Sequence, residues 1–189
     1  MQTKIHALAI AGSLREGSYN RALLRAAQEL CPDTLEINIY EGLGEIPLYN
    51  EDLRAQGEPP PVKRLKEAIR QADALIIATP EYNFSVPGVL KNAIDWASRP
   101  PDDSPLDQKP LAIMGASIGN FGTIRAQTHL RLMCVYTNML PVNQPEVLVA
   151  RAQEKFDAAG RLTDETSRDF VRQLLEALVS WTMRLSAGA

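Results

Sequence analysis

Ala74-Leu75-Ile76-Ile77-Ala78-Thr79-Pro80-Glu81-Tyr82-Asn83-Phe84-Ser85-Val86-Pro87-Gly88 decides the fold. The apolar run from Ala74 to Ala78 reads as a strand buried on both faces of a sheet. It stops in a loop whose ends are stiffened by Pro80 and Pro87, which fix φ and remove two backbone donors. Val89-Leu90-Lys91-Asn92-Ala93-Ile94-Asp95-Trp96 then reads as a helix. In open α/β sheets, ligands bind at loops that follow the C-terminal ends of parallel strands. An aromatic-bearing loop in this place is therefore a candidate ligand wall.

The same grammar repeats on either side. Ile5 to Ala11 is a nearly continuous apolar run, and a helix with Leu23, Ala26, Ala27 and Leu30 on one face follows it until Pro32. Leu35 to Tyr40 alternates like a strand. Residues 41–60, rich in Gly and Pro, are expected to be irregular, and Val62, Leu65, Ile69 and Ala72 mark another helix. Pro110 to Ala116 is the fourth strand, followed by a helix over about 123–138, and Val147 to Val149 is expected to be the fifth. Thr163-Asp164-Glu165 opens a last helix with a stripe of Val171, Leu174, Leu175 and Leu178. Strands alternating with helices predict an α/β doubly wound sandwich over a single domain, 1–189. Its five-stranded parallel sheet has the order 2-1-3-4-5, with helices on both faces.

The chain has 189 residues and a formal net charge of -3, which gives no electrostatic case for nucleic acid or an anionic membrane. No run approaches the roughly 20 apolar residues that span a bilayer, and Met1-Gln2-Thr3-Lys4 leads into a strand without a signal-peptide core. Cys31 and Cys134 fit no metal or redox spacing and are expected to be reduced thiols of a cytoplasmic protein. No metal site is expected. His6, inside the first strand, and His129, inside a helix, are expected to be packing or surface residues rather than catalysts.

In the order 2-1-3-4-5 the loops after strands 1, 3 and 4 lie side by side, so one ligand can touch all three. The first, Gly12-Ser13-Leu14-Arg15-Glu16-Gly17-Ser18-Tyr19-Asn20, suits a phosphate. Ser13, Ser18 and Asn20 offer side-chain donors, Arg15 a guanidinium fork, and the helix its free N–H groups. Gly12 and Gly17 have P-loop spacing, but Ser18 stands where the lysine would be, and there is no G-x-G-x-x-G fingerprint. The alternative is that Ser18 caps its own helix. In the second loop Tyr82 and Phe84 can wall a flat ring, and backbone groups from Glu81 to Ser85 can meet its polar edge; these aromatics could instead serve the core or an oligomer contact. In the third loop Gly115, Gly119 and Gly122 allow backbone to approach a ring, or merely shape turns.

Gly12-Ser13-Leu14-Arg15-x-x-Ser18-x-Asn20 and Pro80-Glu81-Tyr82-Asn83-x-Ser85-x-Pro87-Gly88-x-Leu90-Lys91-Asn92-Ala93-Ile94-Asp95-Trp96 resemble the NADPH-dependent FMN reductase family. The resemblance is to its chromate/quinone reductase branch and continues through Gln127-x-His129-Leu130-Arg131 and Asn143-x-Pro145-Glu146. It implies a flavodoxin-like fold, bound FMN, and NADPH or NADH as donor. By position, Ser13, Arg15, Ser18, Tyr19 and Asn20 would hold the phosphate end. Pro80, Glu81, Tyr82, Asn83, Phe84 and Ser85 would border the ribityl chain and ring, with Ser117, Gly119 and Asn120 on the other side. Relatives often carry Ser-x-Gly-Gly where this chain has Ser117-Ile118-Gly119-Asn120. The implied activity is electron transfer from NAD(P)H to a small-molecule acceptor, a quinone or else chromate, an azo or a nitro compound, by alternating half-reactions with no catalytic side chain. A flavodoxin-type electron carrier and a non-catalytic nucleotide-binding protein of the same fold are the alternatives. A homodimer or homotetramer is also implied, with Trp96, Ala97, Ile124, Leu132 and Tyr136 expected to supply apolar surface.

Overall fold

In a computed structural model that describes residues 4–188, the elements are β1 (Ile5–Ala11), α1 (Tyr19–Leu30), β2 (Leu35–Tyr40), α2 (Glu51–Ala55), α3 (Pro60–Gln71), β3 (Ala74–Ala78), α4 (Gly88–Ala97), β4 (Pro110–Ala116), α5 (Ile124–Thr137), β5 (Leu140–Pro141), β6 (Val147–Val149) and α6 (Glu165–Ala187), with short 3-10 turns at Gly42–Glu45, Pro101–Asp103 and Ala152–Glu154. The reading of Met1, Gln2 and Thr3 lies outside the described residues. The sheet is parallel throughout, in the order β2-β1-β3-β4-β5, and β6 also pairs with β4. The flavodoxin-like order expected from the sequence is the one observed. Among the described residues no helix is long and apolar enough to cross a membrane.

One face of the central strands is mostly alanine, with Ile5, Ile76 and Met114 among the small side chains, and the other puts only Leu and Ile into the core. Ala7, Ala9 and Ala11 of β1, Ala74 and Ala78 of β3, and Ala112 and Ala116 of β4 share one core cluster with α1 and α6. Leu8, Ile10, Leu75, Ile77, Leu111 and Ile113 point the other way, into a cluster with α3, α4 and α5. Alternation within runs that are apolar throughout is what burial on both faces requires. The small side chains leave room for α1 to lie close to the strands that it follows.

The expected strand at Val147–Val149 is present as β6, which pairs with Met114 to Ala116, but a further short strand precedes it: β5 pairs with Pro110 and Leu111, so this edge of the sheet is a broken strand. Residues 142–146 bulge out between them, and α5 supplies the missing partners. Arg131 donates through both terminal nitrogens to the Val142 carbonyl, each at 3.0 Å, and Gln127 donates to the Val147 carbonyl at 3.0 Å. These residues are four apart on one helix face, so one helix holds both halves of the broken strand.

The connection 41–60 is also more ordered than expected. Leu43 and Ile46 are buried in the core, and Asn50 caps α2 by accepting from the Asp52 N–H at 2.8 Å. The Pro47 carbonyl accepts from Asn92 Nδ2 at 2.9 Å and from Trp96 Nε1 at 2.8 Å, while the Tyr49 N–H donates to Asn92 Oδ1 at 2.7 Å. Buried Lys66 joins Glu58 to the Arg99 carbonyl. Trp96 and Ala97, expected at the surface, are therefore fully buried beneath this strap. Ile124, Leu132 and Tyr136 are exposed as expected, together with Val135.

Candidate functional site

β1, β3 and β4 are adjacent, so the loops that leave their C-terminal ends meet at one edge of the sheet. Backbone bonds join them there. The Gly12 N–H donates to the Ala78 carbonyl at 2.8 Å, and the Thr79 N–H to the Met114 carbonyl at 3.0 Å. Asn20 crosses from the first loop to β4, donating to the Ala116 carbonyl and accepting from the Ala116 N–H, both at 2.9 Å. Its side chain is buried, so the phosphate donor expected at Asn20 is instead a clamp that fixes the first loop against the third. Tyr19 turns its ring to Phe156, with centroids 5.3 Å apart, which places it in the packing between α1 and the 152–162 segment rather than at the loop edge.

Ser18 is the N-cap of α1. Its hydroxyl oxygen accepts from the Asn20 N–H at 3.2 Å and from the Arg21 N–H at 3.4 Å. Capping and ligand binding are compatible, because the hydroxyl keeps its own proton to donate. Ser13 is likewise buried, with its oxygen 3.4 Å from the Arg15 N–H. What the loop leaves open is backbone: the N–H groups of Glu16, Gly17, Ser18 and Tyr19 have no partner among the described residues. The Arg15 guanidinium is exposed and forms no hydrogen bond or ion pair with the described residues. Unpaired N–H groups at a helix start, two hydroxyls and a free guanidinium make an anion cradle.

The second loop is built as a hairpin two residues wide. Tyr82 and Ser85 exchange both backbone hydrogen bonds at 3.0 Å, and Asn83 and Phe84 between them have φ of 50° and 63°. The backbone groups of Tyr82 and Ser85 thus serve one another, which leaves the N–H groups of Glu81, Asn83 and Phe84 for a ligand edge. Tyr82 is 47% and Phe84 66% exposed, high for large rings that have a core within reach. Neither belongs to the core, which removes one alternative reading of these aromatics. Glu81 keeps its N–H on the ligand side, but its carboxylate turns away to cap α5. The N-cap of that helix, Thr123, makes no side-chain cap, because its hydroxyl accepts from Gln127. Glu81 Oε2 accepts from the Arg125 N–H at 2.9 Å and the Ala126 N–H at 3.2 Å, while Oε1 lies 3.2 Å from the Arg125 guanidinium. A carboxylate at a helix start also meets the positive end of the helix dipole.

The third loop keeps only part of its expected role. A Cβ on Gly115 would sit 1.9 Å from Thr123 Oγ1 and 2.5 Å from the Thr79 carbonyl oxygen, so this glycine serves the packing of the sheet edge. Gly122 has φ of 60° and its Cβ would meet Leu148 at 3.0 Å, so it serves a turn over β6. Gly119 is exposed, a Cβ there would meet only Ser117 Oγ at 3.6 Å, and Asn120 is exposed beside it. Ser117 shapes the turn by accepting from the Gly119 N–H at 3.1 Å.

Two residues enter the site that the sequence reading left out. Arg125 lies over the Phe84 ring at 4.2 Å and the Phe121 ring at 5.2 Å, and His129 Nδ1 lies 2.9 Å from Ser85 Oγ. Their spacing of four, with Arg125 two residues before the Gln127-x-His129-Leu130-Arg131 stretch, was the available signal, since it puts both on one helix face. His6, by contrast, is exposed on β1 near Glu36, at the opposite end of the sheet from the loops.

Residues 5–154 match the family model of the NADPH-dependent FMN reductases. An NAD(P)H-dependent FMN reductase of Pseudomonas aeruginosa is 55% identical over 185 residues, covering 98% of this chain and 99% of its own. A quinone reductase of Escherichia coli is 40% identical over 187 residues, with 98% and 99% covered. Among solved structures, a flavoenzyme NAD(P)H:(acceptor) oxidoreductase of Paracoccus denitrificans superposes with a TM-score of 0.86 at 36% identity, over 95% of this chain and 98% of that one.

Proposed function

The chain belongs to the NADPH-dependent FMN reductase family, and from that premise we propose that it moves electrons from NADPH or NADH, through bound FMN, to quinones, with chromate, azo and nitro compounds as further acceptors. The observation that carries this reading is the pairing of an anion cradle with exposed aromatic walls on neighbouring loops. In that cradle Arg15, the Ser13 and Ser18 hydroxyls and the open N–H groups of residues 16–19 would hold the phosphate of FMN. Tyr82 and Phe84 would wall the ring. The N–H groups of Glu81, Asn83 and Phe84 would face its polar edge, and Gly119 and Asn120 would lie across from them. Asn20 would act through the loop it clamps.

When bound, FMN would supply the hydride and electron-transfer chemistry between the nicotinamide and the acceptor. The chain contributes position. It carries no dinucleotide fingerprint, so the donor has no separate Rossmann site and must use the space the acceptor later takes; this supports alternating, ping-pong kinetics. Orientation at near-attack distance, roughly 3–3.5 Å, would give most of the acceleration. No carboxylate or imidazole is needed as a base for the first transfer, and water or a nearby hydroxyl would protonate the reduced acceptor.

The same proposal covers assembly and place. α5 buries Ala126, Leu130 and Cys134 yet exposes Ile124, Leu132, Val135 and Tyr136, so it is apolar on both sides. A second copy of the chain covering that face, as a homodimer or homotetramer, would account for it. Cys31 and Cys134 are free thiols, and the donor is a metabolic nicotinamide, both suited to the cytoplasm. The whole chain would act as one flavin-binding unit.

Freshly purified protein should show flavin absorption without added metal, and should oxidise NAD(P)H with a quinone in the absence of any partner reductase, with parallel initial-rate lines. Flavin without such turnover would favour an electron carrier, and intersecting lines would defeat the shared site. Light scattering at micromolar concentration should show a dimer or tetramer; a monomer would remove the assembly.

A further inference from the structure

We infer that His129 and Arg125, one turn apart on α5, are positioning residues for the flavin ring: they hold the Tyr82–Ser85 hairpin in a strained form and set the direction of the Ser85 hydroxyl. The inference rests on the flavin reading above.

The strain is local and visible. Both central residues of the hairpin have positive φ, 50° at Asn83 and 63° at Phe84. Turns of this kind favour Asn-Gly, because glycine takes the second position without a Cβ clash. Asparagine tolerates the left-handed region; a phenylalanine there is an outlier that surrounding structure has to enforce. No longer ladder enforces it, since the Tyr82–Ser85 pairing is an isolated bridge.

The enforcement comes from α5. The Arg125 guanidinium lies 4.2 Å from the Phe84 ring centroid and 3.2 Å from Glu81 Oε1. Glu81 in turn accepts from the Arg125 and Ala126 N–H groups. One turn further, His129 Nδ1 meets Ser85 Oγ at 2.9 Å. Residues 81, 84 and 85 are thus gripped from one helix face. If Phe84 relaxed to negative φ, its exposed ring and the Asn83 and Phe84 N–H groups would leave the edge they share with the anion cradle.

His129 adds chemistry to this grip. If Nδ1 carries no proton, the Ser85 hydroxyl must donate to it. If Nδ1 is protonated it donates, and the Ser85 proton is released for a ligand. The imidazole therefore decides whether Ser85 can donate to the flavin.

The test compares His129→Leu, His129→Asn and Phe84→Gly in the full chain. FMN dissociation is followed by flavin fluorescence, and amide hydrogen exchange at residues 82–85 is measured with and without FMN. His129→Leu should weaken FMN binding about five- to tenfold, the scale of one lost hydrogen bond, and should speed exchange at the hairpin. His129→Asn, which places an amide near the Nδ1 position, should recover most of both. In a Phe84→Gly background the turn no longer needs enforcement, so His129→Leu should leave exchange at the hairpin unchanged and should cost less FMN affinity than in the parent, the remainder being the lost hold on the Ser85 hydroxyl. Parent-like affinity and exchange in His129→Leu would overturn the inference. So would an equally large rise in hairpin exchange in the Phe84→Gly background, which would mean that His129 does not act through the strained turn. A parent protein that binds no FMN would instead defeat the flavin reading, while exchange in the FMN-free chain would still decide whether α5 holds the hairpin.

Discussion

The loop after β1 and the loop after β3 sit side by side and are organised in opposite ways. The first is held from within. Ser13, Ser18 and Asn20 are buried, and their polar atoms serve the loop, its own helix and β4. The second is held from outside, by Arg125 and His129 of a helix more than a strand away in sequence, and it exposes Tyr82 and Phe84. The difference matches what each would bind. A phosphate is recognised by fixed N–H groups that belong to a folded core. A ring that must admit two substrates in turn needs an exposed wall, and an exposed wall keeps its shape only if neighbouring side chains hold it.

The sharpest way to break this contrast is Asn20→Ala. It removes both bonds to Ala116 and leaves a buried N–H and a buried carbonyl unmet, which should lower global stability by about 2–4 kcal/mol. Urea unfolding with an unchanged m-value would check it. A loss below about 1 kcal/mol would mean that the first loop is not held from within. Next comes Arg15→Ala. The guanidinium supports no described residue, so stability should stay within about 0.5 kcal/mol while FMN affinity falls by about 1.5–3 kcal/mol, the range for a charge-assisted bond. Equal FMN titrations for variant and parent, or FMN binding that requires a divalent metal, would count against the anion cradle.

Glu81→Gln probes the outer support. The amide keeps an acceptor for the α5 N–H groups but loses the charge facing Arg125 and the helix dipole. About 1–1.5 kcal/mol of stability should go, and hydrogen exchange at residues 82–85 should quicken more than exchange in α1. Equal protection in both loops would erase the distinction drawn between them.

How much of this was legible in the sequence follows from the range of the interactions. β1, β3 and β4 are continuous apolar runs, and their order and flanking helices follow from local pattern. Val147–Val149 was read from its apolar run, but Leu140–Pro141 and the break before β6 were not legible, because so short an element and its offset are held by Arg131 and Gln127, which lie on a helix. Trp96 was misjudged for the same kind of reason: the strap that covers it is pinned by Asn92 and by Trp96 itself. At the site, the three loops could be named from spacing and turn chemistry. The partnership of Asn20 with Ala116, 96 residues away, and the reach of His129 to Ser85 could not, since each needs the sheet order before it has any meaning.

The smallest effect separates capping from binding. Ser18 and Asp164 are both side-chain N-caps, of α1 and α6, but only Ser18 stands in the cradle. Ser18→Ala should therefore lower both stability and FMN affinity, whereas Asp164→Asn should leave FMN affinity alone. Donation from the Ser167 hydroxyl, with the Ser167 N–H and Lys155 adding to it, holds the Asp164 carboxyl below its usual value of 3.8. A folded-state value depressed in this way contributes stability that is fully present above the unfolded value and is lost as pH falls through the folded one. The asparagine keeps an acceptor for the cap but cannot titrate. The parent should be more stable than Asp164→Asn by about 0.5–1 kcal/mol near neutral pH, and this margin should shrink to nothing as the pH falls through the depressed folded-state value. Thermal melts of both proteins across that range measure it. A margin that survives acid would mean that the carboxylate charge is not what stabilises α6, and a loss of FMN affinity in Asp164→Asn would mean that capping alone, at any helix, is enough to perturb the cradle.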